Sequence, residues 1–353
     1  MSTPENLSFV LQKPFDVKFE DRPIPKLSDP YSVKIQVKKT GICGSDVHYF
    51  THGAIGDFVV KAPMVLGHES SGVVLEVGSE VKSLKVGDRV AMEPGVPSRH
   101  SDEYKSGRYN LCPHMAFAAT PPYDGTLCKY YILPEDFCVK LPEHVSLEEG
   151  ALVEPLSVAV HSSKLGNIKP GSHVAIYGAG PVGLLVAAVA SAFGAESVTI
   201  IDLVESRLNL AKELGATATV QVDFKDTPKE SAAKVVAANN GIAPDVVIDA
   251  SGAEASINSA INAIRPGGTY VQVGMGKPDV SFPIATLIGK ELTVKGSFRY
   301  GYGDYPLAVS LLASGKVNVK KLITHEVKFE DAAEAFQLVR DGKAIKCIIN
   351  GPE

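Results

Sequence analysis

Cys43 and the run Gly67-His68-Glu69 offer a thiolate, an imidazole and a carboxylate, the three kinds of donor that a protein uses to hold zinc. Glu154 is a fourth candidate. Three protein ligands with one position open distinguish a catalytic zinc from a closed structural one, and the open position makes the ion a Lewis acid. A second signature, Gly178-Ala179-Gly180-Pro181-Val182-Gly183, is of the kind that receives a dinucleotide pyrophosphate. A metal that polarises an oxygen and a cofactor that accepts hydride together point to alcohol oxidation. A lone cysteine is usually a small buried hydrophobe, and a lone histidine is often a satisfied core or surface residue. The conjunction of Cys43, His68 and Glu69 reverses that reading. Cys112, Cys128, Cys138 and Cys347 keep it, as do His114, His144, His161, His173 and His325.

These groups need elements to position them. Up to about residue 155 the chain shows short strand-like segments between Gly, Pro and Asp: 32–38, 71–77, 88–92 and 126–133. From residue 171 the rhythm changes to strand, turn and helix. A strand at 174–177 leads into the glycine turn and a helix through Phe193, then a strand at 198–202 and a helix from about 205 to 214. Further strands are expected at 245–249, 270–273 and 292–295, with a helix between 255 and 264. After Gly296 the alternation lapses, and a helix at about 330–340 and a strand at 344–349 are expected to rejoin the first domain. The charged stretch 225–234 reads as the solvated face of a helix. The fold class is α/β.

In the glycine motif, Gly178 allows the tight turn, Gly180 lets a pyrophosphate approach the backbone, and Gly183 permits close packing of helix on strand. Pro181 and Val182 open the helix whose N-terminus would face the phosphates. Asp202 follows about 20 residues later, where a carboxylate accepts hydrogen bonds from the adenosine ribose and repels a 2′-phosphate. NAD is therefore expected over NADP. Arg207, one helical turn on, is placed to fix the adenosine end.

The 353 residues exceed what one core usually supports, so two domains are expected. A net charge of -5 leaves no broad basic face for nucleic acid. Five cysteines, few and odd in number, argue against a disulfide framework and for a reducing compartment. The segment 1–25 has neither the apolar core of a signal peptide nor an Arg-rich transit pattern, and a cytoplasmic location is expected. The uncharged run 174–195 imitates a membrane span, but Pro181 and three glycines break it into a strand and a short helix.

Gly67-His68-Glu69-Ser70-Ser71-Gly72, with Gly78 and Val81, resembles the zinc signature of the medium-chain dehydrogenases. Cys43-Gly44-Ser45-Asp46-Val47-His48-Tyr49, Glu154-Pro155-Leu156-Ser157 and Phe298-Arg299-Tyr300 resemble the polyol branch of that family, the sorbitol and xylitol dehydrogenases, over nearly the whole length. The resemblance implies a GroES-like, β-rich catalytic domain from residues 1–156 and 296–353, and a Rossmann doubly wound parallel sheet from 157–295. It implies one catalytic zinc on Cys43, His68 and Glu69, with Glu154 bound directly or through a water. Ser45 is expected to receive the alcohol proton and His48 to relay it. Tyr49, Glu154, Phe117, Arg299 and Tyr300 are expected to contact a polyol, and Val273, Gly274, Met275, Ser297, Phe298 and Arg299 the cofactor. The reaction implied is oxidation of a secondary alcohol to a ketose, with xylitol or sorbitol as substrate. A zinc enzyme acting on another small alcohol, or a retired NAD-binding protein, is the alternative.

Many relatives hold a second, structural zinc on four cysteines. Here those places read Ser98, Ser101, Tyr104 and Cys112, so a single zinc is expected, with His100 and Asp102 as the nearby residues that could rescue another. Relatives are dimers or tetramers, and a homotetramer or homodimer is expected by resemblance.

Overall fold

The computed structural model describes residues 5–353; Met1–Pro4, the start of the segment searched for a leader, lie outside them. The chain forms two compact units, one from the residues up to Glu154 together with Leu322–Glu353, the other from Pro155–Lys321.

The first unit is built on a seven-stranded mixed sheet in the order Cys138–Lys140, Arg89–Met92, Glu69–Val77, Ser32–Gly41, Lys346–Asn350 and Ile323–Val327, with Tyr130–Pro134 also pairing with Ser32–Gly41. Val33, Ile35 and Val37 alternate with polar residues, so period-2 geometry sends all three to one face. There they pack with Val74, Val90, Met92 and Leu133. A second cluster gathers Phe9, Phe50, Phe329 and Phe336, the last two contributed by the C-terminal segment. The chain's last strand lies beside Ser32–Gly41, with Ile348 opposite Gly41. On the other side of Ser32–Gly41, Gly41 faces Glu69. One end of this sheet thus gathers the end of one strand and the starts of two others.

The expected strand 126–133 begins later, at Tyr130. The preceding residues have other partners: Gly125, Thr126 and Leu127 donate their amides to the carbonyls of Val65, Gly67 and Leu66. They line the loop that carries His68.

The second unit holds a six-stranded, all-parallel sheet in the order Ala218–Gln221, Ser197–Asp202, His173–Tyr177, Val246–Asp249, Thr269–Gln272 and Thr293–Gly296. In sequence order this is 3-2-1-4-5-6, the doubly wound arrangement whose strand order reverses between the first and fourth strands. Helix Pro181–Ala192 has Gly180 at its N-cap and Pro181 at its first position, where the missing amide costs nothing. Among the described residues no helix is long and apolar enough to cross a membrane, and the uncharged run divides into a strand and this helix.

One expected boundary moves. Residues 296–321, assigned from the sequence to the first domain, belong to the second unit. They carry helix Asp304–Ala313, whose Asp304 carboxylate binds Lys164 Nζ at 2.6 Å and His161 Nδ1 at 2.8 Å on helix Val153–Leu165. The first boundary falls at Glu154 rather than residue 156. Helix Pro228–Ala238 confirms the solvated-helix reading of the charged stretch, and a capping box of Thr227 with Glu230 starts it.

Candidate metal centre and cofactor turn

Cys43 follows strand Ser32–Gly41 and is the N-cap of helix Gly44–His52. His68 comes at the end of a loop and Glu69 opens strand Glu69–Val77. The loop depends on Gly67, whose φ of +91° is left-handed and where a side chain would strike Leu127 Cγ at 2.7 Å. One donor atom from each of Cys43, His68 and Glu69 lies within 4.8 Å of the others, the only such group of three among the described residues. A thiolate, an imidazole and a carboxylate so close suit tetrahedral zinc with one position left over.

Two residues that motif reading passed over hold these donors. Asp46, in the first turn of the Cys43-capped helix, is buried and accepts from Gly67 N at 3.0 Å and Cys43 N at 3.2 Å. Its Oδ1 lies 3.3 Å from His68 Nδ1. That contact fixes the ring and leaves Nε2, the nitrogen 3.4 Å from Ser45 Oγ, as the metal-facing atom. Burial pushes the Asp46 carboxyl up, but His68 and the two amides hold it below its ordinary value. Burial likewise pushes His68 down, and the charges of Asp46 and Cys43 raise it well above the usual imidazole value. Lys346 opens the last strand, and its Nζ donates to both Glu69 oxygens at 2.7 and 2.8 Å and to Ile42 O at 3.1 Å. Burial opposes its charge, yet Glu69 and Cys43 raise its pKa above the ordinary lysine value. Asp46 could have been found from its place three residues after Cys43. Lys346 is 277 residues from Glu69, and no local pattern marks it.

Glu154 is buried at the start of helix Val153–Leu165 and lies outside the group of three donors, although its charge acts on Lys346. Phe117 is buried with its ring 5.8 Å from that of His68, an apolar wall on the histidine. Tyr49 is packed in the aromatic cluster with Phe50 and Phe336, and His48 on the same helix is exposed.

In the second unit, the glycine turn shows which glycines the protein itself needs. A side-chain carbon at Gly183 would lie 1.8 Å from Gly178 O, so close packing of helix on strand requires this glycine. At Gly180 an added carbon would meet nothing within 4 Å. No neighbour in the protein excludes a side chain there, and the open space suits a phosphate approaching the helix N-terminus. Asp202 Oδ2 accepts from Ala179 N at 2.6 Å and Oδ1 from Val204 N at 2.8 Å, so the carboxylate ties the turn to the second strand. Each oxygen retains acceptor capacity for a ribose hydroxyl. Arg207 is half-buried on the following helix. Val273, Gly274 and Met275 follow strand Thr269–Gln272, and Met275 is exposed. Ser297, Phe298 and Arg299 follow strand Thr293–Gly296. Arg299, at φ +56°, lays its guanidinium 4.7 Å from the Phe298 ring centre. Tyr300 is buried edge-on to Tyr305 at 5.1 Å, and Gly301 N donates to Asp304 at 2.6 Å.

Among the described residues, the cysteine-poor lobe brings no three such donor atoms within 4.8 Å of one another. Cys112 Sγ lies 3.5 Å from Ser98 N and 3.6 Å from Ser98 Oγ, while Ser101 Oγ caps helix Asp102–Lys105 by accepting from Tyr104 N. Burial pushes the Cys112 thiol up, but hydrogen bonds from Ser101 and Ser98 bring it below its ordinary value. Arg99 binds both Asp136 oxygens at 2.7 and 2.8 Å. The Tyr109 hydroxyl donates to Glu93.

A thiolate, imidazole and carboxylate donor set in one unit, and in the other a 3-2-1-4-5-6 parallel sheet with an open glycine turn, define a zinc- and nicotinamide-dependent oxidoreductase. The chain belongs to the zinc-binding alcohol dehydrogenase family: residues 29–143 match the alcohol dehydrogenase GroES-like domain and residues 181–314 the zinc-binding dehydrogenase model. It is 62% identical over 351 residues to a probable D-xylulose reductase A of Aspergillus clavatus, covering 99% of this chain and 98% of that one. Among solved structures, L-idonate 5-dehydrogenase from Escherichia coli matches with a TM-score of 0.89 at 32% identity over 98% of both chains. An alcohol dehydrogenase from Escherichia coli solved with NADH also gives a TM-score of 0.89, at 29% identity over 98% of this chain and 99% of that one.

Proposed function

We propose that this enzyme oxidises a secondary hydroxyl of a linear polyol to a ketone with NAD, xylitol to D-xylulose in the first place and sorbitol to fructose in the second. The observation that carries the reading is the carboxylate-containing donor set Cys43, His68 and Glu69, in a chain 62% identical to a probable D-xylulose reductase A. Zinc on those donors would supply Lewis acidity toward a hydroxyl oxygen, and NAD would supply the hydride acceptor.

The chain's own residues do the rest. Ser45 Oγ, close to the metal-facing nitrogen of His68, accepts the alcohol proton. His48 is exposed and carries it onward. Partial burial and the neighbouring His52 hold its imidazole below the ordinary value, so it is neutral and able to accept at pH 7. Phe117 excludes water beside His68. Glu154 acts through a bridging water or the substrate, in keeping with its place outside the donor group. Arg299 and Tyr300 recognise hydroxyls, and Asp304 holds their segment through Gly301. Asp202 selects NAD over NADP.

The exposed edge strand Thr293–Gly296, with Val294, Ile284 and Ile288 uncovered nearby, suits pairing with a second copy, as a homodimer or within a homotetramer of a cytoplasmic enzyme.

The test is NADH formation with xylitol, sorbitol, ethanol and threonine, repeated after chelation. Turnover with polyols that chelation abolishes is expected. Turnover on ethanol or threonine alone would overturn the substrate reading, and turnover that survives complete zinc removal would overturn the metal's role. Replacing Asp202 with a small neutral residue should narrow the ratio of NAD to NADP catalytic efficiency.

A further inference from the structure

His48 and His52 stand four residues apart on helix Gly44–His52, and both are exposed. Residues at that spacing share one face of a helix. The two imidazoles use it: their rings stack with centroids 4.4 Å apart and 27° between planes. Two histidines at this spacing on one helix face bind a single zinc in the H-E-x-x-H motif, and rotation of these exposed, stacked rings brings one nitrogen of each to a shared ion.

Thr51 bears on which nitrogen of His52 is available. Its Oγ1 lies 2.9 Å from Val47 O, 3.2 Å from His48 O and 2.7 Å from His52 Nδ1. With its single proton given to a backbone carbonyl, the hydroxyl accepts from His52 Nδ1–H, and the lone pair then sits on His52 Nε2. An outer partner that fixes the tautomer in this way is the usual companion of a metal-binding imidazole. His52 also lies in the last turn of its helix, where the macrodipole favours a cation. Arg340 faces the same open recess, but its charge is balanced by Asp341, 2.9 Å from both Nε and Nη2. Partial burial, and the repulsion that would arise were both rings protonated, favour the neutral, metal-binding form of His48.

We propose that His48 and His52 form a second, exchangeable site for a borderline transition-metal ion, zinc, copper(II) or nickel(II), through one ring nitrogen of each, with water completing the shell. It differs from the Cys43, His68 and Glu69 centre in having two neutral donors and an open face, so it binds more weakly and empties on dialysis. Occupancy ties up the His48 lone pair. Excess zinc therefore slows turnover, a consequence that rests on the proton-relay reading of His48, whereas the binding itself does not.

The experiment titrates zinc into dialysed holoenzyme by calorimetry and follows NADH formation in parallel, for the wild type, His52→Gln and His48→Gln. One further zinc per chain should bind the wild type. Its affinity should fall by at least about tenfold in either variant, the lower end of what even an outer partner is worth to a metal site. At pH 8, where His48 is neutral with or without its neighbour, His52→Gln should keep wild-type turnover at stoichiometric zinc, with an unchanged melting temperature, and lose inhibition by excess zinc. Equal binding by wild type and His52→Gln, or no further zinc bound by the wild type, overturns the site. Binding lost in His52→Gln without any zinc inhibition of the wild type leaves the site standing and removes the relay role instead.

Discussion

Two regions of the first unit differ in how they treat buried polarity. Around Cys43, His68 and Glu69, charged groups are buried in pairs: Asp46 on His68, Lys346 on Glu69. Around Ser98, Ser101 and Cys112 the bonds are neutral and local, the Tyr109 hydroxyl donates to the buried Glu93 carboxylate, and the ion pair of Arg99 with Asp136 is half exposed on both sides. Burying charge is costly unless it is paired and hydrogen-bonded, and a buried ion pair adds little stability of its own. A fold that keeps Asp46 and Lys346 in its interior therefore does so for the donors they hold. The lobe, where Cys112 stands alone among three hydroxyl residues, rests on a hydroxyl bond to Glu93 and on the half-exposed pair of Arg99 with Asp136.

The largest break in the comparison comes from the donors themselves. His68→Ala should lose the tightly held zinc and lower turnover roughly a thousandfold or more, since metal Lewis acidity supplies several kcal/mol of transition-state stabilisation. Metal content and kcat on one preparation check it. Next are the residues behind the donors. Asp46→Asn should cost about 10- to 100-fold in zinc affinity while Cys43, His68 and Glu69 remain, as loss of an orienting partner does. Lys346→Met leaves the buried Glu69 carboxylate without its cation, which costs about 3 kcal/mol in the metal-free protein. Zinc on Glu69 would offset part of that. The gap in melting temperature between variant and wild type should be wider after chelation than before, and an equal gap in both states would separate Lys346 from the metal.

What the sequence made legible follows the range over which each signal acts. The glycine turn is a local pattern, and so are the alternating Val33, Ile35 and Val37 and the His68-Glu69 pair; all appear where the residues place them. Family resemblance supplied the link from Cys43 to His68, which 24 residues of intervening chain would otherwise hide. Lys346 was not legible, because its meaning depends on the last strand lying next to Ser32–Gly41, a pairing across the whole chain. The misplaced boundary at Gly296 has the same origin. Residues 296–321 lack strand alternation, and what binds them to the second unit is Asp304 reaching His161 and Lys164 about 140 residues away. Glu154 shows a different limit: its motif was recognisable, but its distance from the donors was not.

The lobe gives the smallest expected effects and the sharpest test of the contrast. Exhaustively dialysed enzyme should retain one zinc per chain, because Ser98, Ser101 and Tyr104 offer hydroxyls where a closed tetrahedral site needs thiolates or imidazoles. A second zinc surviving dialysis would make the two regions alike and would point to His100 or Asp102. Arg99→Ala removes an ion pair whose partners are both nearly half exposed, so it should cost about 1 kcal/mol or less in global stability. Its consequence should be local. Arg99 also lies 5.9 Å from the centre of the Phe137 ring, so its loss releases two of the lobe's attachments to the segment around Asp136. Limited proteolysis should then cut faster between Pro94 and Phe117 while zinc content and turnover stay at wild-type values. A fall in zinc content in the same variant would mean that the two regions are coupled, and that the neutral lobe helps hold the charged centre.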